Sequence, residues 1–398
     1  MNIRGLLRAT LPLKRSTQAP RTLYLHIGSH KTGTTSLQNT LHSNSETLAR
    51  NGYSYYAPAG WKCIHPFMLR NKAKGLVPNG MHFHHLRTLL SEMSALQGDI
   101  IASSENLSFV FELAQLRKLH RVLVRGFTQI KIVCYIRRQD SHVVSHHQEG
   151  TKPRRHAETD LFGFESRAIP HWHKQHDLYL DYNAKLAMWS EVFGRENIIV
   201  RVFDHRYLKD GDAVKDFLDI VGIEGQITSQ KRLNESVGYE KSKLGHLINQ
   251  FAVDEHLKAA LLRHCDNSGK LLPTPEEARA YYARYRDSNI ALNRQFSLSE
   301  IDSIFPEDDF QKGTSNQSMD WTEESANRAM EHLIDSVNHL FCDLSVDELR
   351  DIAINIESKN LELSHQLMAV AAKLLPQGEY IQKKLNDYKE KLQNRANP

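Results

Sequence analysis

Cysteine is scarce in this chain of 398 residues: there are four, Cys63, Cys134, Cys265 and Cys342. They stand too far apart for metal-ligand pairs, which excludes a zinc ribbon or a disulfide scaffold, and a reducing cytosol is the expected compartment. No apolar run approaches the ~20 residues of a membrane span. Neither sign of charge dominates. The formal net charge is +4, and the leader carries Arg4, Arg8, Lys14 and Arg15 with no acid, so the remainder balances near zero and nucleic acid is not expected as a partner. That leader, 1–20, is broken by Pro12 and Pro20 and is too weakly apolar for a signal peptide. It reads as a basic flexible segment, with peripheral membrane contact as the alternative.

What is present is enough for a core: 40% of the residues are hydrophobic. Four runs have β character, TLYLHI (Thr22 to Ile27), DIIASS (Asp99 to Ser104), IKIVCYI (Ile130 to Ile136) and NIIVRVF (Asn197 to Phe203). Long helical or loop segments separate them. Nearly continuous apolar strands with helical crossovers predict a parallel sheet buried on both faces, hence an α/β fold. Ligands of such sheets sit at the carboxyl ends of the strands, so the residues just after each run are the ones that matter.

After the first run the chain reads GSHKTGTTS, Gly28 to Ser36. Strand, glycine loop and helix start in that order make an anion site, because the first-turn amides and the positive end of the helix dipole converge. The NTPase loop places its lysine after the second glycine. Here Lys31 precedes Gly33, so the loop is not a Walker A. After the third run comes IRRQDSHVVSHHQ, in which Arg137 leaves the strand end and Ser145 lies about two turns into the following helix. A guanidinium fork and a hydroxyl brought together suit a phosphate monoester.

The first string resembles the 5′-phosphosulfate loop of sulfotransferases that use 3′-phosphoadenosine-5′-phosphosulfate, written KxGTT. The second resembles their 3′-phosphate site, RNPxxxxxSxY, with Arg138 and Gln139 in place of Asn-Pro and His147 in place of the tyrosine. DIIASSENLSF, LDYNAKLAMWSEVFGRENIIVRVFD, DAVKDFLDIVGIE and KRLNESVG (Lys231 to Gly238) are similar, in order and spacing, to segments of bacterial carbohydrate-type sulfotransferases. The resemblance implies a P-loop-like three-layer α/β fold with a central parallel sheet over 21–315. It implies His30, Lys31, Thr32, Gly33, Thr34, Thr35, Ser36, Arg137, Ser145 and Arg232 as ligands of the donor. It also implies a hydroxyl-bearing small molecule or saccharide as acceptor, and no metal.

Sulfuryl transfer needs a grip on the sulfuryl oxygens, a base for the acceptor proton, and in-line positioning. Lys31 suits the first, as a mobile point charge. Glu105 follows the second run, the position from which the resemblance to cytosolic sulfotransferases implies that the base is presented, and is a candidate base with a pKa raised towards neutrality by burial. His65 is its rival, because its neighbourhood resembles a histidine-containing segment of the bacterial relatives. The histidines, 22 in all, show no metalloprotease spacing, and a surface or acceptor-cleft location is expected for the clusters at His82 to His85, His142 to His147 and His171 to His176. Lys152, Arg154 and Arg155 form a basic patch that faces either an anionic saccharide or solvent. A nucleotide kinase or NTPase, and a non-catalytic nucleotide-binding scaffold, stand as the alternative functions.

The C-terminal region, 316–398, turns helical. Met330, Leu333, Ile334, Val337 and Leu340 have the spacing of one helical face. Two further helices place Ser364, Ala371 and Pro376 as a tetratricopeptide repeat places its small residues and terminal proline, and one such repeat needs neighbours to stack on. A helical appendage is expected, with a partner-binding role as the weaker option, and its last helix, charged on most faces, is expected to fray.

Overall fold

The computed structural model describes residues 20–70, 80–152, 161–223, 227, 237–251, 253, 255–306, 310, 314–315, 319–342 and 345–396. Its strands are β1 (Thr22–His26), β2 (Tyr53–Tyr56), β3 (Met68–Arg70), β4 (Met81–Phe83), β5 (Asp99–Ser103), β6 (Gln129–Ile136) and β7 (Ile198–Val202). Five of them form a parallel sheet in the order β2-β5-β1-β6-β7, and β3 and β4 form a separate antiparallel pair. The expected α/β class with a parallel sheet is what the chain adopts. The four apolar runs supply β1, β5, β6 and β7. The edge strand β2 reads YSYY and has only Tyr56 buried, so no apolar run announced it.

Burial on both faces follows from the pleat. Leu25 lies opposite Ala102 on one side and Ile132 on the other. With Leu23, Ile27, Ile100 and Cys134 they face a core that takes Leu89 and Met93 from helix Leu86–Ala95, Leu116 and Leu119 from helix Leu113–Leu123, and Leu186 and Trp189 from helix Tyr182–Phe193. The alternate residues Ile101, Val133 and Tyr135 point the other way, onto Leu37 and Leu41 of helix Thr34–Ser43 and Phe217 of helix Ala213–Val221. Successive strand side chains alternate between faces, so a run apolar at every position needs a helical layer on each side. β1 is central, and its carboxyl end opens into the Gly28 to Gly33 loop.

The described residues divide into two compact units. One comprises those within 1–150, 155–236 and 271–319 and contains the sheet; the other comprises those within 151–154, 237–270 and 320–398. The second unit is helical. Helices Val346–Ile356, Leu361–Leu374 and Glu379–Ala396 close on Leu349, Ala353, Met368, Ala371, Ile381, Leu385 and Tyr388. Ser364 and Ala371, the expected small positions, are both fully buried.

The last helix is more firmly held than its charge suggested. Ile381, Leu385 and Tyr388 make one buried stripe, and Lys384, Lys391 and the Tyr388 hydroxyl all donate to the Glu357 carboxylate. In helix Glu323–Cys342 only part of the expected face turns inward: Leu333 packs with buried Ala329 against Leu244, Leu262 and Cys265, and Ser336 is buried, whereas Met330, Ile334 and Val337 are exposed and the Leu340 side chain lies outside the described ones. No helix among the described residues is long and apolar enough to cross a membrane.

Candidate functional site

The loop after β1 turns on two glycines with left-handed backbone, Gly28 at φ 89° and Gly33 at φ 81°, and Lys31 between them also has φ 60°. Gly33 is the residue before helix Thr34–Ser43, and no side chain caps that helix start. Its first amides therefore face the loop, the arrangement that favours an anion. Gly28 is needed for a second reason. A Cβ there would lie 3.0 Å from Ser108 Oγ and 3.1 Å from Glu105 Cα, so the loop rests directly on the turn that follows β5. Gly28→Ala is expected to cost at least about 1 kcal/mol of stability, because alanine is strained at positive φ and has no room. A thermal melt of the variant checks it, and an unchanged Tm would count against that packing.

Lys31 and Arg137 meet. Arg137 Nη1 donates to the Lys31 carbonyl at 3.2 Å, and Lys31 Nζ donates to Glu149 Oε2 at 2.8 Å. The two halves of the expected donor site thus belong to one constellation. Not every loop group serves it equally. The Thr32 hydroxyl donates to the Ser29 carbonyl at 2.6 Å within the loop, and Thr32 and Thr34 are buried while Thr35 is exposed and Ser36 half-buried. Thr32 therefore holds the loop's shape with its side chain. Ser145 is half-buried on helix Gln139–His147. Arg232 lies outside the described residues.

The departures from the RNPxxxxxSxY pattern have local explanations. Arg138 makes a two-pronged bond to Asp140, at 2.7 and 2.8 Å, and lies 4.3 Å from the centre of the Phe310 ring. Gln139 exchanges amide bonds with Asn289 at 2.8 and 3.1 Å. His147, in the tyrosine's place, is buried with Nε2 against the Glu165 carbonyl at 2.8 Å, and burial pushes its pKa down to about 4. All three are structural.

The two rival bases are partners. Glu105 opens the short 3-10 turn Glu105–Phe109, and His65 opens another, His65–Phe67, tethered by the Ile64 amide on the Ser103 carbonyl. His65 Nε2 stands 3.5 Å from Glu105 Oε2, and Gln38 Nε2, from the helix behind the loop, donates to the same oxygen at 2.7 Å. Burial alone would raise the Glu105 carboxyl. The charge of His65 outweighs it and holds Glu105 below the ordinary carboxylate range. This corrects the expectation of a carboxyl raised towards neutrality. Burial also opposes charge on His65, but hydrogen bonding to Cys63 and Glu105 and the Glu105 charge push it up to about 10.

The histidines of helix Gln139–His147 are not a surface cluster. His142, His146 and His147 are buried, as is His176. His146 stacks on His30 with ring centres 4.7 Å apart, and the Phe109 ring centre lies 4.6 Å from that of His30. Among the described residues no group of histidine, cysteine or carboxylate side chains is placed to hold a metal ion. Of the basic patch, Arg154 and Arg155 lie outside the described residues. Gln38, Glu149 and Tyr179 were not marked in the sequence. Tyr182 stood inside a family-like segment without a role.

No family model matches the chain. It is 26% identical over 225 residues to an uncharacterized protein of Archaeoglobus fulgidus, across 53% of this chain and 57% of that protein. The chain thus spans little more than half the length of that relative. The crystal structure of a sulfotransferase from Alicyclobacillus acidocaldarius is similar over 70% of this chain and 96% of its own, at 15% identity and a TM-score of 0.38. That likeness is slight, and the fold stands on the sheet order alone.

Proposed function

We propose that the protein is a sulfotransferase that moves a sulfuryl group from 3′-phosphoadenosine-5′-phosphosulfate to a hydroxyl of a carbohydrate or glycolipid, acting in the cytosol without a metal. One observation carries the reading: Arg137 is bonded to the backbone of the Lys31 loop, so a cation for each phosphate of a nucleoside bisphosphate stands at the carboxyl ends of β1 and β6. The 5′ phosphate takes the loop amides and Lys31. The 3′ phosphate takes Arg137, with Ser145 and Arg232 as its further ligands.

Charge then shifts in one direction. As the sulfuryl group departs, negative charge grows on the 5′-phosphate oxygen, and Lys31, a compact and mobile cation, moves from Glu149 to meet it. The acceptor's proton travels the opposite way, drawn by the ionised Glu105, which His65 and Gln38 hold against the loop. The free, buried thiols of Cys63, Cys134 and Cys265 support a reducing compartment.

Thermal-shift titration tests the donor class. Adenosine 3′,5′-bisphosphate at 100 times its Kd is expected to add about 2.7 kcal/mol to stability, and ATP with Mg²⁺ much less. A shift with ATP·Mg²⁺ alone would establish the kinase or NTPase alternative. A bisphosphate shift with no transfer to any of a panel of hydroxyl acceptors would leave a binding scaffold.

A further inference from the structure

Two nitrogens of His30 meet one atom. Its amide donates to the Tyr179 hydroxyl oxygen at 3.3 Å, and its Nδ1 lies 3.0 Å from the same oxygen. The Tyr179 hydroxyl in turn lies 3.2 Å from His142 Nε2, His142 Nδ1 lies 2.6 Å from the Tyr182 hydroxyl, and the Tyr182 hydroxyl donates to the Arg137 carbonyl at 2.7 Å. His142, Tyr179 and Tyr182 are buried. The chain runs unbroken from the anion loop to the residue at the other end of the donor site.

The end point fixes every proton along it. A carbonyl only accepts, so Tyr182 gives its single proton to Arg137, and its oxygen must accept from His142 Nδ1–H. His142 stays neutral: burial first, then the charges of His146, Lys185 and Arg137, hold it well below its ordinary value. Lys185 contributes from a buried position, with Nζ 4.4 Å from the centre of the Tyr179 ring. A neutral ring protonated at Nδ1 carries a lone pair at Nε2, so Tyr179 donates there, and the Tyr179 oxygen is left to accept from His30 Nδ1–H. His30 is thereby the Nδ1–H tautomer, and its Nε2 is the proton-accepting atom.

We propose that Tyr182, His142 and Tyr179 are positioning residues that set this tautomer, and that His30 Nε2 is the general base of the site. The base role rests on the sulfotransferase reading; the tautomer does not. In the transfer, the acceptor O–H bond breaks and its proton passes to Nε2, making an imidazolium. The oxygen's electron pair forms the new O–S bond, and the bond between sulfur and the 5′-phosphate oxygen breaks with its pair on that oxygen, beside Lys31. Glu105 is the carboxylate whose charge interacts with His30, and it stabilises the imidazolium while remaining ionised. His30 is then no phosphate ligand, because neither of its N–H groups is directed to the donor.

The test is the ring-nitrogen NMR spectrum of the full chain labelled at histidine, with the His30 signals identified by their loss in His30→Asn. The expected wild-type pattern is a neutral ring protonated at Nδ1, and Tyr179→Phe, which keeps the ring packed on Phe109, is expected to shift it towards the Nε2–H form. A wild-type His30 protonated at Nε2, or a pattern unmoved by Tyr179→Phe, overturns the relay. His30→Asn keeps an amide near the Nδ1 position and lacks the base. Its turnover at saturating donor is expected to fall by about 10²-fold or more, and unchanged turnover overturns the base role. The expected tautomer in a chain that adenosine 3′,5′-bisphosphate does not stabilise would sink the donor reading and the base role with it, and uphold the relay.

Discussion

Lys31→Ala is expected to lower kcat by about 10²- to 10³-fold, the loss typical of removing one donor that meets charge developing in the transition state. Affinity for adenosine 3′,5′-bisphosphate should fall less, because the loop amides and Arg137 remain. The asymmetry is the diagnostic. If Lys31 only held the ground state, affinity would fall and kcat would hold; if it stabilises the departing phosphate, kcat falls most. Single-turnover rates and calorimetric titration of the bisphosphate measure the two quantities separately. Lys31→Arg should not restore the rate, since a planar fork cannot follow charge as a compact ammonium does. Glu149→Gln belongs to the same experiment. The Lys31–Glu149 pair, with side chains 25% and 12% exposed, sets a carboxylate in competition with the incoming anion, and neutralising it should tighten bisphosphate binding. Full kcat in Lys31→Ala would remove the lysine from the reaction.

The loop and the sheet were legible for one shared reason: their signals are local. β1, β5, β6 and β7 are apolar at nearly every position because both faces are covered, and the loop's glycines and lysine lie within a few residues of one another. β2 was illegible because an edge strand of tyrosines and serine has no such pattern. Arg138 and Gln139 read only as departures from the family pattern, and they are buried pairs with Asp140 and Asn289, the second a partner no spacing could supply. Glu105 and His65 were each legible as a candidate and illegible as a pair, since their meeting depends on the path of the segment after β2. The histidines of helix Gln139–His147 invited a surface or acceptor-cleft reading, and their tyrosine partners Tyr179 and Tyr182 come from later helices of the same crossover. Contacts across long separations carried most of the site's chemistry.

Glu105→Gln is expected to lower turnover at saturating donor by about 10²- to 10⁴-fold, the range for loss of proton-transfer machinery. The amide keeps the shape and the contact with Gln38 but removes the charge that draws the proton. It also strips His65 of its counter-ion, and the consequence is visible without any substrate. The folded-state pKa of His65 lies above its ordinary 6.5, near 10, so its share of stability is complete below pH 6.5 and fades as pH rises through about 10. Glu105 lies below its ordinary 4.5, so its share is complete above pH 4.5 and fades as pH falls through the lowered value. The two windows overlap between pH 4.5 and 6.5. The stability difference between wild type and Glu105→Gln should therefore be largest there and shrink towards pH 10, as urea melts across pH would record. A difference that grew with alkaline pH would mean that His65 is neutral in the folded chain, leaving Glu105 without the cation that holds it ionised. Turnover unchanged in Glu105→Gln would separate the two roles: the pair would then hold the loop's floor, and the proton's path would not depend on its charge.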